Sequence, residues 1–548
     1  KKKKKKNRCE KRISKQEAIT QKEFTFNERT IWSEEAKAMM KQWAQKAGIS
    51  SQSVSNQLLI LLEPECASMR VILEMKEKQH DVQFNTGDCY MMMDLGAGTA
   101  DTVCHEIIGP FEVREMIASF GGPWGSSCID RDVETVFRQM VGKDVMDLFQ
   151  TTYPKAYLQL LDNIEHSKQR FFLNENINGN HRIEIPREFD KFMREKISDT
   201  LQELVSNFKY QGISKLMFLY LLKRHITYIL IKKYNHNNNN RHLYDGADLS
   251  LSCKLWMKLF DLRIDPIIEQ MDKMLKKNEK ILGNRLKYIC LVGGFSQSPY
   301  LQYKLKQHYE SKYTFVISKD PLFSVVEGAA QLARIPSFIT FRIVKYTYGT
   351  GTCWRLEKAR PAVSPEHIQN HKFLRDIDNE EYVDECFRSF VKKGEKVQVG
   401  QMTERSFTKP SKDKENTYVA IYRSEEHNPS VTTKCKCLGV IEIPFPKDFD
   451  DVKDCFYVRF YFGETMIRVT VCIKGKEYIE YEKKINFDVQ PLYCSLCILF
   501  LLVRFLFLQF SNVFAFIKQY SSLKLGMCLL INTLKKTFEM SMWIVITN

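Results

Sequence analysis

Paired Cys-x-x-Cys spacings are missing from a chain that carries 16 cysteines in 548 residues. The single instance, Cys494 to Cys497, sits inside an apolar run, so zinc modules built on two such pairs are excluded. No secretory signal opens the sequence, and the scattered cysteines read as reduced thiols of a cytoplasmic protein. Acidic residues are lacking at the other end: between Asp488 and Asn548 the only one is Glu539. Nor does a module of interleaved aromatic and basic residues accompany the opening "KKKKKKNRCEKRISK", which leaves nucleic-acid binding resting on a lysine run alone. That run holds part of the +16 formal charge. Residues 1–23 read as a solvated, disordered basic tail, with a nuclear-localisation or anionic-surface patch as the alternative.

Apolar residues are plentiful: 44% of the chain is hydrophobic, enough for two or three cores. In "IWSEEAKAMMKQWAQKAGI" Ser33 stands at an N-cap position, Glu34 and Glu35 in the first turn and Gly48 past the end. Ala36, Met39, Met40, Trp43 and Ala47 fall on one helical face. "LLILLEPE" reads as a short buried strand, Leu58 to Leu62, and "CYMMMDL" as the next. Strand-like and helical segments alternate to about residue 340, which predicts an α/β unit over 24–340 with ligands at the carboxyl ends of its strands. Within it, residues 191–250 read as an inserted helical stretch ending in an asparagine-rich loop, "NHNNNNRH". From about 341 to 490 apolar and polar residues alternate between turn signals, as in "TYVAIYRS" and "MIRVTVCI", which predicts a separate all-β domain. Residues 491–548 form an apolar tail whose segment 492–517 has the length of a bilayer span, with Arg504 near its middle. A membrane span and a buried or unstructured tail are the alternative readings.

The stretch with the most chemistry is "YMMMDLGAGTADTVCHEI", residues 90–107. An apolar strand stops at Asp94, gives way to Gly96, Ala97, Gly98 and Thr99, and reaches a second carboxylate at Asp101. Glycines let backbone N–H groups approach phosphate oxygens. Thr99 adds a hydroxyl, and Asp94 and Asp101 offer hard oxygens to hydrated Mg²⁺, which needs few protein ligands. The competing reading is a tight hairpin turn with solubilising aspartates. A second apolar strand, Ile289 to Val292, runs into Gly293 and Gly294, and Ser296 or Ser298 with Pro299 opens a helix whose N-terminus suits an anion or nucleotide. Two such turns suggest a nucleotide held between two lobes.

"EPECAS", "DLGAGTAD", "LVGGFSQSP" and "DPLFSVVEGAAQLA", in this order, resemble the nucleotide-binding domain of the heat-shock 70 kDa chaperone family. "IWSEEAKAMM", "GGPWGSSCID" and "YGTGTCW" resemble its divergent protein 12 subfamily. The resemblance implies an actin-like, ribonuclease H-like ATPase fold followed by a β-sandwich, with ATP or ADP and Mg²⁺ as cofactors. It assigns Asp94, Gly96, Ala97, Gly98, Thr99 and Asp101 to a phosphate loop, and Glu63 to the carboxylate that helps order Mg²⁺ and the attacking water. It sets Gly125 and Ser126 near ribose and phosphates, Glu165 and Lys168 on a helix approaching the adenosine, and Gly293, Gly294 and Ser296 at an adenosine-side turn. Gln297 stands where better-known members carry an adenine-stacking arginine, and Ala97 replaces a glycine.

Nothing before Phe24 resembles the family's first phosphate loop or its lysine near the γ-phosphate, so the expected fold is incomplete at its N-terminus. Phosphoryl transfer depends on positioning and charge stabilisation, and losing one clamp weakens hydrolysis more than binding. Residues 341–490 resemble the family's peptide-binding β domain, although "SFITFRIVKYTYG" is basic where the typical linker is acidic and leucine-rich. The expectation is a chaperone-family protein that binds nucleotide, with Glu63, Asp94, Thr99 and Asp101 as the hydrolytic set, and that takes unfolded peptide or a specific protein partner. Its rivals are a non-catalytic scaffold, membrane-anchored through 492–517, and a sugar-kinase-like member of the actin superfamily, which would not explain a trailing β domain.

Overall fold

The structure is a computed structural model that describes residues 24–28, 34–48, 58–77, 82–172, 180–196, 226–233, 244–463, 467–478 and 544–546. The lysine run, the Ser33 cap position, the asparagine tract and the segment 492–517 lie outside them.

The chain begins with β1 (Phe24–Glu28), α1 (Glu34–Lys46), β2 (Leu58–Leu62) and α2 (Glu63–Lys76). On α1 and the turn that ends it, Met40, Ala44 and Ala47 are buried, the i, i+4, i+7 face that the sequence pattern requires. Gly48 follows with φ +70°. β1 pairs in parallel with β2, from Phe24↔Leu58 to Glu28↔Leu62. α2 starts directly on the end of β2, with Pro64 in its first turn beside the acidic Glu63 and Glu65; proline fits there because the first-turn N–H has no helical partner.

Next come β3 (Cys89–Leu95), β4 (Ala100–Gly109), β5 (Glu112–Gly122), α3 (Ser127–Val141), α4 (Lys143–Thr152), α5 (Pro154–Gln169), β6 (Asn180–Ile185) and α6 (Arg187–Lys196). β7 (Ile226–Lys233), β8 (Tyr244–Ser252), α7 (Cys253–Lys277), β9 (Leu286–Val292), α8 (Pro299–Tyr309), β10 (Thr314–Ile317) and α9 (Ser324–Leu332) complete the first part. Every residue of β3 is buried, as a central strand covered on both faces demands. Its period of two divides the core. Cys89, Met91, Met93 and Leu95 join the cluster under α3, α5 and α7, while Tyr90 and Met92 face the cluster made by α2 and α9. Each such apolar side chain contributes on the order of 1.5–3 kcal/mol when buried.

The main sheet has seven strands in the order β10-β9-β3-β4-β5-β11-β15, where β11 is Ile339–Ile343 and β15 Lys396–Gln398. β10, β9 and β3 run parallel; β3, β4 and β5 form an antiparallel meander. Two findings correct the sequence reading. Residues 191–250, read as helical, contain only the end of α6 as described helix; β7 and β8 pair antiparallel, and β8 also pairs with β6. Period-two alternation is weak in "ITYILIKK" but clear in "ADLSLS", Ala247 to Ser252, so β8 carried a strand pattern that the helical reading passed over and β7 did not. A boundary at 340/341 is also too simple: β11 straddles it, paired in parallel with β5, and β15 pairs antiparallel with β11.

The following residues form β12 (Thr347–Arg355), β13 (Lys372–Leu374), β14 (Glu381–Val391), β16 (Met402–Phe407), β17 (Asn416–Ser424), β18 (Lys436–Pro444), β19 (Phe456–Tyr461), β20 (Arg468–Ile473) and β21 (Lys476–Tyr478). They make two antiparallel sheets, β13-β14-β12-β17-β18 and β16-β19-β20-β21. One apolar core takes side chains from both, including Phe390, Ile421, Ile441, Val458, Phe460 and Val471. A last strand, β22 (Ile544–Ile546), pairs antiparallel with β1. Among the described residues no helix is long and apolar enough to cross a membrane.

Candidate functional site

The register of β3 and β4 sets Asp94 directly opposite Asp101. Directly opposed residues of an antiparallel pair project to the same face, so two carboxylates lie side by side at the carboxyl end of β3, both buried, at 6% and 1% exposure. By the parity of β3 this is the face of Tyr90 and Met92, toward α2. Glu63 and Glu65 open α2 and are buried as well. Burial pushes the Cys66 thiol well above its ordinary value, and the charges of Glu65, Glu63 and Asp94 push it further. The carboxylates from the two elements therefore converge around one point.

Between the aspartates the chain turns through Gly96 to Thr99, with Gly96 N–H donating to the Thr99 carbonyl at 2.9 Å. The three carbonyls of Gly96, Ala97 and Gly98 all point at the start of α3. They accept from the N–H groups of Ser126 at 3.1 Å, Ser127 at 2.8 Å and Gly125 at 3.3 Å. The Ser127 hydroxyl adds a second bond to the Ala97 carbonyl at 2.8 Å. In a trans peptide the N–H lies opposite the C=O. Three carbonyls drawn to one side therefore turn the N–H groups of Ala97, Gly98 and Thr99 to the other, a concavity of backbone donors suited to an anion.

The second glycine turn meets the first. Gly293, at φ +83°, lies so close that a Cβ there would stand 2.5 Å from Asp94 Oδ1 and 2.5 Å from the Leu95 carbonyl. Only glycine combines that φ with that approach. The turn is anchored by Gly293 N–H donating to the Pro321 carbonyl at 2.8 Å, and by the buried Ser296 hydroxyl donating to the Gly293 carbonyl at 2.7 Å. Ser298 caps α8 by accepting from Leu301 N–H at 3.4 Å. Gly294 and Gln297 are exposed at the rim.

The remaining expected residues occupy supporting places. Gly125 and Ser126 spend their amides on the carbonyls of the glycine loop. Lys168 is 6% exposed; it donates to Asp130 Oδ2 at 2.5 Å and to the Ser126 carbonyl at 3.2 Å, tying α5 to the first turn of α3. Glu165, one turn earlier, accepts from Gln169 at 3.0 Å on the exposed side.

Sequence reasoning missed three parts. Ser127, the second serine of "GGPWGSS", is the firmest hold on Ala97. Under α2, the buried His105 Nδ1 lies 3.1 Å from the Tyr90 hydroxyl and 3.3 Å from that of Ser68, and the Ser68 hydroxyl donates to the Pro64 carbonyl at 2.8 Å. Burial holds this imidazole down at about 3, so it is neutral. At the start of α2, Arg342 of β11 forks onto both oxygens of Glu65.

No protein-family model matches the chain. Curated proteins do. Mouse heat shock 70 kDa protein 12A is 24% identical over 499 residues, covering 80% of this chain and 67% of that protein. The human protein 12A is 25% identical over 450 residues, covering 74% of this chain and 61% of that protein. Human heat shock 70 kDa protein 12B is 22% identical over 431 residues, covering 69% of this chain. The chain is similar to the heat shock 70 kDa protein 12 group. It spans 56% to 67% of the length of these relatives. Its mixed α/β architecture, with the β3-β4-β5 meander between the parallel pair and β11, is compatible with an actin-like ATPase fold for this group.

Proposed function

We propose that this protein binds ATP or ADP with Mg²⁺ at the β3–β4 turn, and that its two C-terminal sheets engage an extended peptide or a specific protein partner. The observation that carries the first part is the concerted turning of three loop carbonyls toward α3, which aims the N–H groups of Ala97, Gly98 and Thr99 the opposite way. The residues fit the group. The opposed Asp94 and Asp101 set two hard-oxygen carboxylates side by side next to the loop amides, the donor type that Mg²⁺ takes. Among the described residues no three His, Cys, Asp or Glu side chains form a ready-made metal cage. Mg²⁺ needs none, since it keeps several waters and takes one or two carboxylates plus phosphate oxygens. Asp94 and Asp101 would hold it through water, with Glu63 facing the same point, and the bound cation would neutralise phosphate charge. Gly293 against Asp94 marks where the second lobe closes on the nucleotide, with Gly294, Ser296 and Gln297 at its edge.

The partner-binding part rests on the family likeness and on two sheets around one core, an architecture that can grip an extended chain through main-chain bonds and side-chain pockets.

Calorimetry of the full chain with ATP and ADP, with and without Mg²⁺, tests the nucleotide reading. Magnesium-dependent binding is expected, weakened at least tenfold, about 1.4 kcal/mol, by Asp94→Ala at unchanged circular dichroism. A folded protein with no nucleotide binding overturns it and leaves the scaffold reading.

A further inference from the structure

Strand β11 is attached to the sheet irregularly. Its register against β5 shifts between Ile339, opposite Val113, and Phe341, opposite Arg114. Beyond Phe341 a side chain takes over as the acceptor: the Ile343 N–H donates to Glu115 Oε2 at 2.7 Å, and Glu115 Oε1 accepts from the Ser119 N–H at 3.1 Å. A carboxylate buried to 8% exposure thus does the work of a main-chain carbonyl in the seam. The charged and titratable groups facing it come from every neighbouring element: Arg342 from β11, Lys345 just beyond it, Glu65 from α2 and the Cys104 thiol from β4. Arg342 is forked onto Glu65, so one guanidinium serves two buried carboxylates.

We propose that Glu115 is a proton-operated clasp on the seam between β5 and β11, closing it when protonated and loosening it when ionised. Protonated on Oε1, the carboxyl weakens its bond from the Ser119 amide but keeps Oε2 for the Ile343 amide and adds no second negative charge opposite Arg342. Ionised, it leaves two buried carboxylates on one cation, which burial penalises. Once β11 leaves the edge, water reaches the group and it ionises as an ordinary surface carboxylate, so opening the seam releases a proton to solvent. Burial lifts the closed-state value from 4.5 to about 7, against the opposing pull of Arg342 and the Ile343 amide. Opening therefore becomes about tenfold easier per pH unit up to about 7 and then levels off. β11 leads into the two C-terminal sheets and β15 returns to pair with it, so the clasp governs how firmly they are held to the main sheet. It does not depend on nucleotide binding.

Hydrogen exchange on the full chain, read by mass spectrometry between pH 5.5 and 8 and corrected for intrinsic rates, tests this. Peptides covering β11 and β15 are expected to lose protection about tenfold from pH 5.5 to 6.5 and to level off near 7.5. Glu115→Gln, whose amide stands in for the protonated acid, is expected to hold them closed across the range. Lys345→Gln, at a half-buried site, removes a charge that favours ionisation and moves the fall to higher pH. A wild type with flat protection, a Glu115→Gln variant that keeps the same fall, or an equal fall in peptides from β9 and α7 each overturns the proposal.

Discussion

Two buried titratable side chains should give the protein opposing pH responses. His105 is held down at about 3 in the folded state against an ordinary 6.5. The unfolded chain binds the extra proton between those values, so its contribution to stability is complete above 6.5 and is lost as pH falls, about 1.4 kcal/mol per unit. Glu115 is lifted from 4.5 to about 7, so the folded state binds the extra proton and stability falls as pH rises through that window at a similar rate. Between pH 5 and 6 the two slopes cancel. Urea unfolding of Glu115→Gln should show stability rising with pH by about 1.4 kcal/mol per unit relative to wild type, and His105→Gln the reverse. Parallel slopes in all three proteins would contradict this. A third residue, Gly293, has φ +83° and no room for a methyl group beside Asp94. Gly293→Ala is expected to cost about 1–3 kcal/mol in chemical denaturation. It should also weaken magnesium-dependent nucleotide binding more than a change of equal stability elsewhere, because the displaced group is Asp94.

Among the secondary-structure elements, the strands and turns with strong local signals were legible. "CYMMMDL" and "YICLV" became β3 and β9, and the glycine turns that follow them meet in space although they are far apart in the chain. What the sequence could not show is how α2 is held. Its partner α9 crosses it at Gly328, where a Cβ would stand 1.7 Å from the Cys66 carbonyl; the glycine in "VVEGAAQLA" reads locally as an indifferent helix residue. The Glu65–Arg342 and Glu115–Ile343 contacts join positions more than 200 residues apart in the chain. β15 is a three-residue strand with too short a pattern to assign to either part. The α2–α9 crossing makes a specific prediction. Gly328→Ala forces the helices apart, with an expected loss of about 1–3 kcal/mol and a matching loss of nucleotide affinity, since Glu63 rides on α2. Calorimetry and thermal unfolding on one sample check it; weakened stability with unchanged affinity would separate α2 from the site.

At the scale of the whole molecule, Arg342 is the point at which three parts meet. Its guanidinium forks onto Glu65 of α2, its Nε donates to the Gly463 carbonyl, just past β19, at 2.6 Å, and its backbone belongs to β11 at the sheet edge. Arg342 and Glu65 are 17% and 4% exposed, so the pair is buried and two opposing terms decide its worth. Removing one partner strands a buried charge and costs about 3–5 kcal/mol, whereas replacing both with apolar groups of similar size is often neutral or stabilising. Arg342→Met alone should therefore lower the unfolding midpoint sharply, while Arg342→Met with Glu65→Leu should recover most of the loss. The recovered protein would still lack the bond to Gly463. Its C-terminal sheets, which have their own core, should then unfold in a separate transition where the wild type shows one. Differential scanning calorimetry of the three proteins distinguishes the outcomes: a double variant as unstable as the single one would show that Arg342 acts through Gly463 and β11, and a single transition in all three would show that β11 and β15 alone join the two parts.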